Sequence, residues 1–202
     1  FGIDIKVDPA KNYNGWVDLQ ITADMVKEYG ITRERVLEYS AQFAVALHEA
    51  VLKQAGSSDK LYVPIPEAVT LAQRLFENHF FIGLLTGNVE RMARWKLDHA
   101  GVPDIFVFGL FGDDVDDRVT LAKTVFEKAK NHFGITFLPK DIVVVGDAIG
   151  DIRCAKAIGA TTIIAMTGRH STREELAVEN PDLLVDTLAD SAVYDFFHLS
   201  LT

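Results

Sequence analysis

The run Ile142-Val143-Val144-Val145, a helical pattern stopped at Gly159, and the apolar stretch Thr161–Ala165 constrain this chain more than any other feature. Two unbroken apolar strands on either side of one helix do not alternate between inside and outside, so they belong to a parallel sheet covered on both faces. The same grammar reaches back to Pro66. It predicts a helix from Pro66 to about Asn78, a strand over 80–85, a helix over 89–100 stopped by Gly101, and an apolar stretch over 105–108. Beyond these it predicts a helix from about Val119 to His132, a short helix after Ser171, a strand over 183–185 and a terminal helix with Phe196 and Phe197. The implied fold is α/β, a doubly wound, Rossmann-like parallel sheet.

Residues before Pro66 read differently. Leu19 to Tyr29 is helical and stopped by Gly30, and Thr32 is a cap for one long helix through Val36, Phe43, Leu47 and Val51 to near Gly56. Helix without strand is the pattern of a lid, and Gly56-Ser57-Ser58-Asp59-Lys60 with Pro64 reads as the linker out of it. The expected organisation is a helical cap over 1–64 and an α/β core over 65–202. Twenty-nine acidic against 20 basic residues give a net charge of −9, with no Lys/Arg cluster, which argues against nucleic-acid and anionic-membrane partners. No apolar run is long enough to span a bilayer, and the single cysteine, Cys154, fits a reducing, cytoplasmic setting.

Ligands of open parallel sheets bind beyond the carboxyl ends of the strands. Asp147 stands at such an end and Asp151 four residues on, a spacing that lets two hard oxygen ligands face one point, as Mg²⁺ requires. The same pair also reads as a helix cap and a charge at the positive helix end. Thr86-Gly87-Asn88 offers a hydroxyl, a tight turn and free N–H groups for a phosphate oxygen, or simply Asn88 as a helix cap. Arg118, after Asp113-Asp114-Val115-Asp116-Asp117, could face a phosphoryl group or balance a solvated acidic loop, and Lys123 lies close enough to compete for the first role. Six scattered histidines show no pair at metal spacing, and neither dinucleotide nor P-loop glycine patterns occur.

Taken as a set, Leu84-Leu85-Thr86-Gly87-Asn88, Phe111-Gly112-Asp113-Asp114 with Arg118, and Val145-Gly146-Asp147 with Asp151 resemble the haloacid dehalogenase-like hydrolase superfamily, phosphoglycolate phosphatase-like branch. Gly15-Trp16-Val17-Asp18-Leu19-Gln20-Ile21 is similar to a segment that often opens the lid of that family. The resemblance implies Mg²⁺-dependent hydrolysis of a small phosphorylated metabolite through an aspartyl-phosphate. It gives Thr86, with Gly87 and Asn88, to phosphate binding, Arg118 to charge neutralisation where most members have Lys, and Asp147 and Asp151 to the metal. A monomer or homodimer is expected.

The family's first motif, an apolar strand ending in Asp-x-Asp-x-Thr that supplies the nucleophile, has no match in these residues. Asp4 and Asp8 are four apart and follow no buried strand. That strand, central in the family's sheet, is expected upstream of Phe1, and without it the sheet should show a gap. A phosphosugar mutase of the same superfamily and a non-catalytic binder of phosphorylated ligands are the alternatives.

Overall fold

The computed structural model describes residues 1–5, 8, 10–11, 13, 15–55, 62–113, 115, 117–168 and 171–200. Its first three helices are α1 (Asp18–Val26), α2 (Arg33–Glu38) and α3 (Ser40–Ala55). Buried Leu19, Val26 and Val36 form their shared core with Ile31, Leu37 and Phe43. Gly30 ends the first helical stretch at φ 73°, and the Thr32 side chain accepts from the Arg35 N–H at the start of α2. The single long helix expected after Thr32 is instead broken at Tyr39, whose N–H turns back to the Val36 carbonyl at 3.2 Å. The reason is a local clamp. Arg35 Nη2 donates to the Tyr39 hydroxyl at 2.8 Å and its guanidinium lies 4.4 Å above the Tyr39 ring, so the ring folds back onto α2. The expected linker at 56–60 lies outside the described residues.

Helix α4 (Pro66–Glu77) begins at Pro66, whose missing N–H costs nothing there. It leads to β1 (Gly83–Leu85), α5 (Glu90–His99) and β2 (Phe108–Leu110). Then come α6 (Arg118–Lys123), α7 (Val125–Phe133), β3 (Val143–Gly146), α8 (Ile149–Ile158), β4 (Thr161–Ala165), α9 (Arg173–Val178), β5 (Leu183–Val185) and α10 (Ser191–Phe196). The helix expected over 119–132 is split at Thr124, whose Oγ1 donates to the Leu121 carbonyl at 2.8 Å and competes with the helical ladder. The strand expected over 80–85 shrinks to its last three residues, and Phe80 and Phe81 are exposed.

All strand pairs are parallel, in two sheets: β1–β2 and β3–β4–β5. Ile163, Ala165 and Val185 bury one face of the larger sheet against Leu71, Val193 and Tyr194; Ile164 buries the other against Ile152 and Leu176. Helices therefore cover both faces, and the doubly wound α/β reading holds. The outer edges of β1 and β3 face one cleft. A cavity of about 210 Å³ is lined by Gly83, Leu84 and Leu85 on one side and Val143, Val144 and Val145 on the other. A second, of about 630 Å³, runs along the same two strands to Gly146 and Asp147. The first helices are anchored on this part of the chain, because α3 packs Ala44 against Val89 and Met92 of the α5 region.

Candidate active site

Four segments meet at the carboxyl ends of the strands: 86–88 after β1, 111–113 after β2, 147–151 after β3, and 167–168 after β4. The β3 end is the most tightly built. Asp151 sits in the first turn of α8 with its side chain buried, and its Oδ2 accepts the N–H groups of Asp147 and Ala148, each at 3.1 Å. It is thus the cap of α8, placed where the helix end favours an anion. Gly146 makes room for it, since a Cβ there would lie 2.3 Å from the Asp151 carboxylate.

The other oxygen of Asp151 meets Arg118. Arg118 Nη2 donates to Asp151 Oδ1 at 2.7 Å and to the Leu85 carbonyl at 3.4 Å. Asp117 fixes the start of α6 by accepting from the Thr120 N–H at 2.7 Å, which sets Arg118 as the first helical residue. One guanidinium therefore joins the end of β1 to the turn after β3. Its Nε is buried with no hydrogen-bond partner among the described residues. Lys123, the competing cation, is exposed on the last turn of α6. Cys154 donates to the Arg118 carbonyl, and burial pushes its thiol up to about 11, so it stays protonated and unreactive.

At the β1 end, the Thr86 N–H continues the ladder to the Leu110 carbonyl at 3.0 Å, and Thr86 Oγ1 accepts from the Asn88 N–H at 3.2 Å. The hydroxyl hydrogen is left to donate elsewhere. Gly87 lies beneath the residues that lead into α1, where a Cβ would sit 2.4 Å from the Trp16 carbonyl oxygen. Asn88 does not cap α5. Its Nδ2 donates to Asp18 Oδ1 at 3.3 Å and its Oδ1 accepts from Lys96 Nζ at 2.7 Å, so the side chain faces those two groups. The α5 terminus is capped from elsewhere in the chain: Val89 N–H donates to Asp18 Oδ2 at 2.9 Å and Glu90 N–H to Asp113 Oδ2 at 2.7 Å. Burial raises the Asp18 pKa against the opposing pull of the Val89 amide, Lys96 and Asn88; burial also lowers that of Lys96, with Asp18 opposing.

Neither Asp18 nor Asp113 stands out by local pattern. Asp18 looks like one more polar residue of an amphipathic helix, and Asp113 like part of a solvated acidic run. Asp114 and Asp116 of that run lie outside the described residues.

Two carboxylates at one strand end suit a hard cation that keeps water and phosphate oxygens as its remaining ligands. An ionised carboxylate offers about four lone-pair sites, and Asp151 uses three of them, on Arg118 and two amides. Asp147 packs against Gly168 and lines the larger cavity. The chemistry of the pair fits a hard cation such as Mg²⁺. No cluster of three or more His, Cys, Asp or Glu is formed among the described residues.

A doubly wound α/β fold whose polar residues gather at the carboxyl strand ends, preceded by a helical segment, defines the class. A family model described as HAD-hydrolase-like matches residues 120–191, which include Asp147 and Asp151 but neither Thr86 nor Arg118. The phosphoglycolate phosphatase of Salmonella typhi is 22% identical over 186 residues, spanning 79% of this chain and 71% of that protein. Among solved structures, a β-phosphoglucomutase from Clostridium difficile aligns with a TM-score of 0.64 at 14% identity, covering 96% of this chain and 82% of that one. A hydrolase from Pseudomonas syringae aligns at 0.61 and 21%, covering 93% and 81%. At these identities the structural likenesses establish the fold alone. The family-model match and the curated relative make the chain similar to haloacid dehalogenase-like hydrolases, and among them to phosphoglycolate phosphatases. No helix among the described residues is long and apolar enough to cross a membrane.

Proposed function

We propose that this chain carries the cap, over 1–64, and most of the α/β core, over 65–202, of a Mg²⁺-dependent phosphatase. Its substrate is a small phosphate monoester, phosphoglycolate or a sugar phosphate, met in the cytoplasm by a monomer or homodimer. The observation that carries this reading is Arg118, which bridges the end of β1 and Asp151 while its Nε–H stays buried and without a partner among the described residues. A buried cationic donor of that kind calls for an anionic oxygen.

In the proposed reaction the Thr86 hydroxyl, with its acceptor side held by the Asn88 N–H, donates to a phosphoryl oxygen. Arg118 offsets charge between nucleophile and phosphate. The nucleophile is an Asp carboxylate at the end of a parallel strand seated in the cleft between β1 and β3, with which the open edges of those two strands agree. Its oxygen attacks phosphorus in line, the ester P–O bond breaks, and the departing alkoxide takes a proton from water to leave as the alcohol. Water then hydrolyses the aspartyl-phosphate to inorganic phosphate. Asp147 and Asp151 would hold Mg²⁺, which when bound screens charge on the phosphoryl oxygens. The cap closes over the substrate and excludes bulk water.

The natural full-length protein, incubated with phosphoglycolate and with hexose monophosphates in Mg²⁺, should release inorganic phosphate. Transfer to a second hydroxyl with little free phosphate would favour the mutase reading instead. Tight binding of the esters without turnover would favour a non-catalytic binder.

A further inference from the structure

Asp18 and Lys96 hold the two ends of a single hydrogen-bonded chain through Asn88. Asp18 is the first residue of α1, in the cap, and Asn88 is the last residue of the loop after β1, 70 positions away. Four contacts tie the segments. The Asp18 N–H donates to the Gly87 carbonyl at 2.8 Å, Asp18 Oδ2 accepts from Val89 N–H at 2.9 Å, Asp18 Oδ1 accepts from Asn88 Nδ2 at 3.3 Å, and Lys96 Nζ donates to Asn88 Oδ1 at 2.7 Å. A carboxylate only accepts and an ammonium only donates, so the charges at the two ends permit one orientation of the Asn88 amide. That orientation, and the grip on Gly87 and Val89, brackets the turn in which the Asn88 N–H holds Thr86 Oγ1. Burial disfavours both charged groups, and both shifts follow from it, so the charges are retained at a cost in solvation.

We propose that Asp18 is a positioning residue which locks the cap to the phosphate-binding loop, through Val89 and the Asn88–Lys96 chain, and so fixes the aim of the Thr86 hydroxyl. This rests on the reading of 86–88 as a phosphate site. The lock makes the base of the cap and the loop one unit, so cap movement must occur beyond Asp18.

The test is calorimetric titration of inorganic phosphate into the natural full-length protein in Mg²⁺, with melting temperature followed in parallel. Asp18→Asn keeps the shape but sets an amide NH₂ against that of Asn88. Loss of one hydrogen bond to a charged group should weaken phosphate binding by about tenfold. The swap Asp18→Asn with Asn88→Asp rebuilds the chain in the same shape, with the carboxylate moved next to Lys96, and should bring the affinity back to within about threefold. Lys96→Met, which removes the far end, should weaken binding in the same direction and serves if Asp18→Asn fails to fold. A merely structural role would lower the melting temperature and leave phosphate affinity alone. Wild-type affinity in both Asp18→Asn and Lys96→Met, or no recovery in the swap, overturns the proposal. A wild-type protein that binds no phosphate overturns the reading of the loop itself, and the proposal with it.

Discussion

Arg118 and Asp151 meet at 2.7 Å with side chains 19% and 8% exposed, and the same Arg118 nitrogen reaches the Leu85 carbonyl. This pair is the one charged link between the end of the β1–β2 sheet and the turn after β3 among the described contacts. It decides how the turn at 86–88 and the two acidic residues face each other. A buried pair of this kind contributes less by its attraction than its rupture costs, because the remaining charge is stranded.

Replacing Arg118 with Met should therefore destabilise the fold by about 3 kcal/mol, within the range for stranding one member of a buried ion pair. Arg118→Lys should lose less stability, since it keeps a charge near Asp151, but lose the bridge, since the shorter side chain carries its nitrogen only to about the guanidinium carbon and not to the Nη2 position that meets both Asp151 and Leu85. Urea denaturation of the three proteins checks the order. Equal stability of wild type and Arg118→Met would contradict it.

Gly87→Ala should be destabilising by about 1–3 kcal/mol, as an overpacked site is, because its new Cβ meets a backbone oxygen rather than a yielding side chain. Thermal unfolding reads this directly. Restoration is not expected from trimming Trp16, since the obstacle is the Trp16 carbonyl and not its ring.

Fold and site were legible to different degrees. Gly30, Gly101 and Gly159 mark their helix ends with positive φ because a left-handed cap needs no partner beyond the local turn. The strands at 143–146 and 161–165 declare themselves because burial on both faces demands an unbroken apolar run. The breaks at Tyr39 and Thr124 escape the pattern, because a side chain that folds onto its own preceding turn leaves the apolar periodicity intact. Asp147, Asp151, Thr86 and Arg118 sit at strand ends and helix starts, where polar groups attract notice. Asp18 and Asp113 cap a helix from 71 and 23 residues away, and no local spacing encodes such a pairing.

Cys154 should resist alkylation by iodoacetamide at pH 8 in the folded protein and react once the chain is unfolded. Its thiol is held near 11 by burial and the side chain is fully enclosed. Prompt labelling under native conditions would contradict the packing of α6 on α8.

Asp24 gathers Lys11 Nζ at 2.6 Å, Lys27 Nζ at 2.5 Å and the Tyr13 hydroxyl at 2.8 Å, and these hold its carboxyl well below the usual range, Lys11 first. A carboxyl with a lowered folded-state pKa stabilises the fold above its unfolded pKa and loses that contribution as pH falls through the folded one. Asp24→Asn should therefore lower stability by a constant amount above about pH 4, the ordinary carboxylate range, and the two profiles should converge as pH falls below it. Melting temperatures of both proteins across that range check it. Parallel acid profiles would contradict it.

The most direct test is phosphate release from phosphoglycolate by the natural full-length protein, measured against Mg²⁺ concentration for wild type and Asp147→Asn. We expect saturable Mg²⁺ dependence, loss of activity in EDTA, and a fall of at least about a hundredfold in Asp147→Asn at any Mg²⁺ concentration, as for loss of a group that stabilises transition-state charge. Undiminished turnover in EDTA, or an Asp147→Asn variant as active as wild type, would contradict a metal-dependent phosphatase built on this strand end.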